Sequence, residues 1–343
     1  SDAGAGIGYT GIRIRGVSPQ STNITINGIP FNDPESMGTF WVNLPDFSSS
    51  IESLQVQRGV GTSTNGSGAF GASINILTDI VSDQPYAELS SSFGSYNTLK
   101  NTIKFSTGKI NDFFELSGRL SKIDSDGYVD RAYSDLKSYF IQGAYTNGST
   151  LIKAISFGGH EKTYQAWDGL SMDQVLENRR QNPLTYENEI DNYKQDHFQL
   201  HWNEKINNYW SFNLGLNYTD GRGYFEQYKE DDDINTYGGI VKSDIDNNGD
   251  QTGTTDLIRR RWLDNDFYVL NSSINYIKDK IDLTLSSSYS SYVGDHYGEV
   301  IWARSLSNTG EIRDRYYEGL GEKKDLSFFA KLLYSINKKT ELY

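Results

Sequence analysis

From Trp210 to Tyr218 every second residue is apolar, with Ser, Asn and Gly between. Successive side chains of a strand point to opposite faces, so this spacing gives one apolar and one polar face. Phe198, Leu200 and Trp202 alternate in the same way with His197, Gln199, His201 and Asn203. Similar patterns recur near 86–95, 98–108, 113–123, 138–146, 150–159, 266–277, 281–291 and 325–335. The pattern predicts about ten strands of roughly ten residues, the length with which a tilted strand crosses a bilayer. Tight turns at 110–112, 147–149, 206–208, 278–280 and 336–339 alternate with longer loops near 124–137, 160–194, 220–265 and 292–324. Short turns on one side and long loops on the other fit an outer-membrane barrel with its turns toward the periplasm. A soluble sandwich, the alternative, has no reason to sort its loops by parity.

Composition narrows the choice. The chain has 343 residues and a formal net charge of -13, with 24 Tyr, 16 Phe, 6 Trp, 33 Gly, 6 Pro and no Cys. Its mean hydropathy is -0.60. No run approaches the ~18 apolar residues of a membrane helix. Without Cys there is no disulfide framework or thiolate metal site. The acidic balance opposes nucleic-acid binding, which needs a basic face. With four His and neither G-x-S-x-G nor H-E-x-x-H, catalysis finds no foothold, and the chain is expected not to be an enzyme.

Residues 1–85 have another rhythm, dense in Gly and without Lys. Short apolar runs stand at 12–16, 23–28, 51–59 and 73–78, and Asn27-Gly28 is a strong hairpin signal. A compact α+β domain is expected at 1–85 and barrel strands at 86–343. About ten or eleven strands make a barrel too narrow to hold a folded domain, whereas barrels of about 22 strands have a plugged lumen. The chain is therefore expected to carry only the first half of its barrel.

Four segments share a known order: Ile12-Arg13-Ile14-Arg15-Gly16, Ile24 to Asp33, Ile51 to Gly59, and Gly66 to Ile76. In that order they resemble the plug motifs of TonB-dependent outer-membrane receptors. Gly221 to Lys229, after a barrel strand, resembles receptors of the Bacteroidetes. Ala72-Ser73 departs from the family, which more often has glycine there, and the segment offered to TonB would precede Ser1. The resemblance implies an all-β transmembrane barrel of about 22 antiparallel strands, with an N-terminal plug in its lumen, in the outer membrane of a Gram-negative bacterium. It implies a transporter that binds a scarce small ligand, an iron–siderophore complex, and imports it with energy from TonB and its inner-membrane complex. The alternatives are import of cobalamin, or of oligosaccharide or peptide under a surface lipoprotein lid, or a scaffold that transports nothing. Lipopolysaccharide and outer-membrane lipid are the expected surroundings, and no cofactor is required.

Several constellations have a functional and a plain reading. Asn32, Asp33, Met37, Phe40 and Trp41 follow the hairpin where the family places a plug apex, and so become candidates for ligand contact. Tyr164 and Trp167 precede Ser171-Met172-Asp173-Gln174, a capping box that predicts a short helix; they are either ligand contacts or packing anchors. Arg13, Arg15, Glu52 and Arg58 interrupt apolar runs and are expected to latch plug to wall rather than lie solvated. Asp244, Asp246, Asn248 and Asp250, with Gly249 and a displaced Asp256, imitate the opening of a calcium loop. The alternative there is an acidic loop tip. Gly66 to Gly71 satisfies G-x-G-x-x-G, but the strand-like Ser73–Thr78 follows, so no dinucleotide site is expected. His197 and His201 imitate a helical zinc pair, yet on a strand they stand over ~12 Å apart and read as lumen residues.

Overall fold

The computed structural model describes residue 4 and residues 6–59, 71–337 and 340–342. Residues Gly66 to Phe70 lie outside the described residues.

Two sheets make up the fold. The smaller contains β1 (Thr22–Ile26), β2 (Ile29–Pro30), β3 (Ile51–Arg58) and β4 (Ala72–Thr78), in the order β2-β1-β4-β3. β1 and β4 run parallel, and the other pairs are antiparallel. Asn27 and Gly28, at φ 55° and 81°, form the hairpin turn, a conformation that Asn and Gly tolerate best. The 12–16 run makes only a bridge between Ile14 and Val17, because Arg15 and Gly16 both take positive φ and turn the chain.

The larger sheet is an antiparallel meander of eleven strands. It begins with β5 (Pro85–Gly94), β6 (Thr98–Thr107), β7 (Phe114–Ser125), β8 (Ser134–Thr146) and β9 (Thr150–Tyr164). After helix α1 (Met172–Asn178) come β10 (Ile190–Lys205), β11 (Trp210–Asp233), β12 (Thr254–Lys278), β13 (Ile281–Ala303), β14 (Arg315–Asn337) and β15 (Thr340–Leu342). The capping box forms: the Ser171 hydroxyl accepts from Gln174 N, and Gln174 Oε1 accepts from Ser171 N.

Strand lengths depart from the sequence reading. β11 to β14 run for 24, 25, 23 and 23 residues, so much of 220–265 and 292–324 is strand rather than loop. Past Tyr218 the outward positions change from apolar to Asp220, Arg222, Asp264 and Asp266, while the hydrogen-bond ladder continues. The apolar alternation stops where the outward apolar band stops. The ladder does not, because backbone pairing needs no apolar side chain.

Outward positions carry Leu120, Ile141, Phe198, Leu200, Tyr268 and Leu285, all exposed. Inward positions carry polar groups that the smaller sheet covers. Ile24, Ile26, Ile74, Ile76, Leu44 and Phe47 pack with Phe140, Ile155 and Phe157 of β8 and β9. Around this apolar contact the joint is polar. Asp46, held at φ 54°, accepts from Lys100, from Ser121 and from Thr102 (2.7 Å), and lies 3.6 Å from Arg119. Arg119, 1% exposed, also donates to Ser50 Oγ (2.8 Å) and Ser138 Oγ (3.0 Å). Asp79 receives Lys104 at 3.0 Å.

Burial pushes the Asp46 carboxyl up, but the bonds from Lys100, Ser121, Ser49 and Thr102 outweigh it and hold it below the usual range. A depressed carboxyl stabilises above its unfolded pKa and ceases to do so as pH falls through the folded one. The Asp46 contribution to docking should thus be constant between pH 8 and 5 and weaken only below about pH 4. Asp46→Ala leaves Arg119 buried without its partner and should cost about 3–5 kcal/mol. Thermal unfolding and protease sensitivity of residues 1–80 measure both effects.

Candidate functional site

At the loop-bearing end of the sheet, a cavity of about 580 Å³ separates residues 30–43 from the inner wall. The segment after β2 is held rigidly. Asn32 Oδ1 accepts from Ile24 N (2.7 Å), and Asn32 Nδ2 donates to Thr22 O and Met37 O (both 2.9 Å). Asp33 Oδ1 accepts from Ser36 N and Ser36 Oγ, both at 2.7 Å. This loop carries Phe31 and Phe40 into the cavity lining.

The wall contributes Tyr193 and His197 from β10, Phe225 from β11, Arg261 and Phe267 from β12, and Tyr317 from β14. Tyr193 lies flat over two inward glycines: a Cβ at Gly223 would meet its ring at 2.6 Å, and one at Gly221 its hydroxyl at 2.2 Å. Its hydroxyl donates to Asn265 Oδ1 (2.7 Å). Gly159 has a similar role toward the plug-side loop, since a Cβ there would stand 2.2 Å from Asn43 O. His197 stacks on Phe157 (centroids 4.7 Å apart) and leans on Phe31 (5.7 Å). Tyr9 packs edge-on to Trp167, which packs edge-on to Phe225. Burial, then Glu161 and Asp191, pushes the Tyr9 phenol far up, so it remains a donor to Asp191 Oδ2 (2.7 Å).

The seven residues proposed for ligand contact separate into two groups. Asn32, Asp33, Phe40 and Trp167 line the cavity. The polar atoms of Asn32 and the bonded oxygen of Asp33 serve their own loop, so Phe40 and Trp167, 51% and 41% exposed, have the most surface to offer. Trp41 packs against the core beside Phe31, and Met37 S accepts from Lys323. Tyr164 is buried and donates to Leu184 O and Tyr186 O, which fastens the α1 loop. None of those three lines the cavity.

Arg13, Arg15, Glu52 and Arg58, expected to latch plug to wall, stand at exposed positions, and the charge of Glu52 acts on Lys153 of β9. Among the described residues, the ion pairs that join the two sheets come from Asp46, Asp79 and Glu35, the last accepting from His296 Nε2 and Tyr292 OH. Sequence reasoning missed them because Asp46 sits in a turn and Asp79 just past the end of β4, outside any periodic run.

The acidic loop proposed for calcium is closed by hydrogen bonds of its own. Asp246 Oδ1 accepts from Asn248 N (2.8 Å) and Asp250 N (2.9 Å), bonds that hold this carboxyl below its usual range. Asp244 accepts from Thr255, Ser305 and Arg304, and Asp256 accepts from Arg304, Tyr228 and Asp231 N. The carboxylates face protein donors, and Arg304 supplies the positive charge. Among the described residues no group of three His, Asp or Glu has metal-holding geometry. Residues His197 and His201 both face inward, His201 bonded to Gln199 Oε1 (3.1 Å).

With the site in place, likeness to known proteins becomes informative. Residues 1–73 match the family model "TonB-dependent Receptor Plug Domain". This leading region is thus similar to the plug of TonB-dependent receptors. Over 86 residues the chain is 33% identical to "Probable TonB-dependent siderophore receptor PirA" of Acinetobacter baumannii, which covers 23% of this chain and 11% of that protein. The fold resembles the ferripyoverdine receptor of the Pseudomonas aeruginosa outer membrane, with a TM-score of 0.69 at 11% identity over 95% of this chain and 44% of that one. It also resembles the siderophore receptor PiuA of Acinetobacter baumannii, with a TM-score of 0.62 at 12% identity over 96% and 50% of the two chains. This chain therefore spans at most about half the length of these relatives. They come from Proteobacteria, so the likeness of Gly221 to Lys229 to Bacteroidetes receptors finds no support among them.

Two outcomes check this geometry. Gly159→Ala should unseat the plug loop at Asn43, seen as faster proteolysis near residues 31–50. Arg304→Ala should loosen loop 234–253, while millimolar calcium leaves the thermal transition of the unaltered protein unchanged.

Proposed function

We propose that the chain forms the plug and adjoining barrel wall of an outer-membrane active transporter that captures a scarce small ligand and imports it with energy from TonB. The carrying observation is the aromatic cavity between plug loop and wall, open at the end with the long loops. Phe31, Phe40, Trp167, Tyr193, Phe225 and Phe267 suit a bulky, partly apolar ligand more than a small hydrated ion. An iron–siderophore complex has that size and character, and the relatives named as siderophore receptors support the same ligand class.

The mechanism follows from the docking. Ion pairs and hydrogen bonds hold the plug against the wall, so a path opens only when work is done on them. The outer membrane has no ATP, and TonB transmits that work from the inner membrane. Capture uses the cavity residues, and release requires breaking contacts such as those of Asp46. No enzyme chemistry is involved. Lipopolysaccharide and lipid surround the outward face, whose Phe198 stacks on Tyr218 and Tyr218 on Tyr268.

Iron uptake by a strain carrying the full-length gene, measured with defined ferric siderophores under iron limitation, tests this reading. Uptake of at least one siderophore should be saturable, should vanish without TonB, and should lose affinity about tenfold or more in Phe40→Ala/Trp167→Ala, given the ~1–3 kcal/mol carried by such anchors. Gene deletion that leaves uptake of every siderophore unchanged would reject it.

A further inference from the structure

One arginine of the cavity wall differs from its neighbours. Arg222, Arg259, Arg260 and Arg315 each have a carboxylate in reach, from Asp264 at 3.3 Å, Asp232 at 3.9 Å, Glu226 at 2.8 Å and Glu318 at 3.0 Å. With Arg261 they are the arginines of β11 to β14. Arg259, two residues earlier on the same face of β12, also bonds Gln227 and Tyr237. Arg261 has no Asp or Glu within ion-pair distance among the described residues, in a chain with 45 acidic residues against 32 basic.

Strand register explains how Arg261 is held. Phe225, Arg261, Gly298 and Tyr317 are successive cross-strand neighbours on β11, β12, β13 and β14, so they share the inner face. The guanidinium stands over the rings of Phe225 (5.4 Å) and Tyr317 (5.5 Å), and Arg261 Nε donates to Tyr317 OH (3.2 Å). Tyr317 reaches across β13 because residue 298 has no side chain: a Cβ there would stand 2.4 Å from its ring. Trp167 in turn packs edge-on against Phe225 (5.8 Å). Two rings and one hydrogen bond thus fix the guanidinium plane. Among the described residues no hydrogen bond or ion pair engages Nη1 or Nη2.

Arg261, Phe225, Trp167 and Tyr317 all line the cavity, and Arg261 is its one Lys or Arg among the described residues. The carboxylates of the cavity belong to other elements: Asp33 to the plug loop, Glu161 to β9 and Asp191 to β10. Asp191 lies in the same cross-strand row, opposite Phe225, which separates it from Arg261, and its Oδ2 accepts from Tyr9 OH (2.7 Å). Charge in the cavity is therefore divided, with the cation on the β12–β14 side. A guanidinium presents N–H groups in a fixed planar fork that matches the two oxygens of a carboxylate.

We propose that Arg261, held between Phe225 and Tyr317, binds a carboxylate of the imported ligand through Nη1 and Nη2. This rests on the transport reading for the word "imported" and deepens it by naming a ligand class: organic acids and their complexes with a free carboxylate beside an aromatic or apolar body. The carboxylate meets the fork, and the body lies along Phe225 and Trp167. A neutral ligand of the same shape gains the ring contacts but leaves the fork without an anion.

The test is isothermal titration calorimetry of the full-length receptor in detergent at neutral pH, with 3-phenylpropanoate and 3-phenylpropanamide as probes. These share one body and differ in charge. The unaltered receptor should bind the carboxylate about tenfold or more tightly than the amide, as a charged hydrogen-bonded pair implies. In Arg261→Gln that ratio should fall below about twofold, and Arg261→Lys, which keeps the charge without the fork, should lie between. Tyr317→Phe keeps the ring but removes the bond that orients Nε, and should weaken carboxylate binding about threefold with the amide unchanged. Equal affinity for the two probes, no saturable binding of the carboxylate, or a ratio that survives Arg261→Gln overturns the proposal. Should that variant fail to fold, the ratio on unaltered protein and its change in Arg261→Lys decide. Neither iron nor TonB is needed, so failure here leaves the transport reading standing, and failed iron uptake leaves the carboxylate site standing.

Discussion

The docking of plug on wall depends on a buried carboxylate. A strand with its apolar face outward turns its polar face inward, and those groups need partners once water is excluded. Asp46 gathers Lys100, Thr102, Ser121 and Arg119 from two neighbouring strands at one point. Arg119 then reaches Ser50 and Ser138, and Ser138 Oγ donates to Pro45 O. The apolar contact of Phe47 with Phe157 lies beside this hub and gains precision from it. Such an arrangement is strong while complete and costly when broken.

The same logic shapes the cavity. Where the plug loop 30–43 rises from the wall, apolar and aromatic groups replace ion pairs, and glycines at 159, 221 and 223 let rings and backbone approach closely. The loop is stiffened by its own Asn32 and Asp33, so the cavity is formed before any ligand arrives. A pre-formed site loses less entropy on binding than a loop that must first be ordered.

Much of this was legible in the sequence, and the failures have identifiable causes. The hairpin at Asn27-Gly28, β3 and β4 followed from turn chemistry and apolar runs, and α1 from its capping box. β11 to β14 were under-read because outward charge replaces outward hydrophobicity beyond Tyr218 while backbone pairing persists. The described charge pairs between plug and wall use Asp46, Asp79 and Glu35, which no periodicity marks. Spacing also could not reveal Arg304, which arrives from between two distant strands and pairs with Asp244 and Asp256 of the acidic loop.

By itself the sequence determined the two-faced strands, the parity of turns and loops, and a compact leading domain, because these depend on neighbours a few residues apart. Tertiary structure alone decided which polar groups meet. Tyr9 finds Asp191, Glu35 finds His296, and Glu161 and Asp191 share a wall without a cation, across separations that no local pattern encodes. Partnership between distant charges is set by strand register and by the seating of the plug. Both are properties of the assembled sheet rather than of any segment.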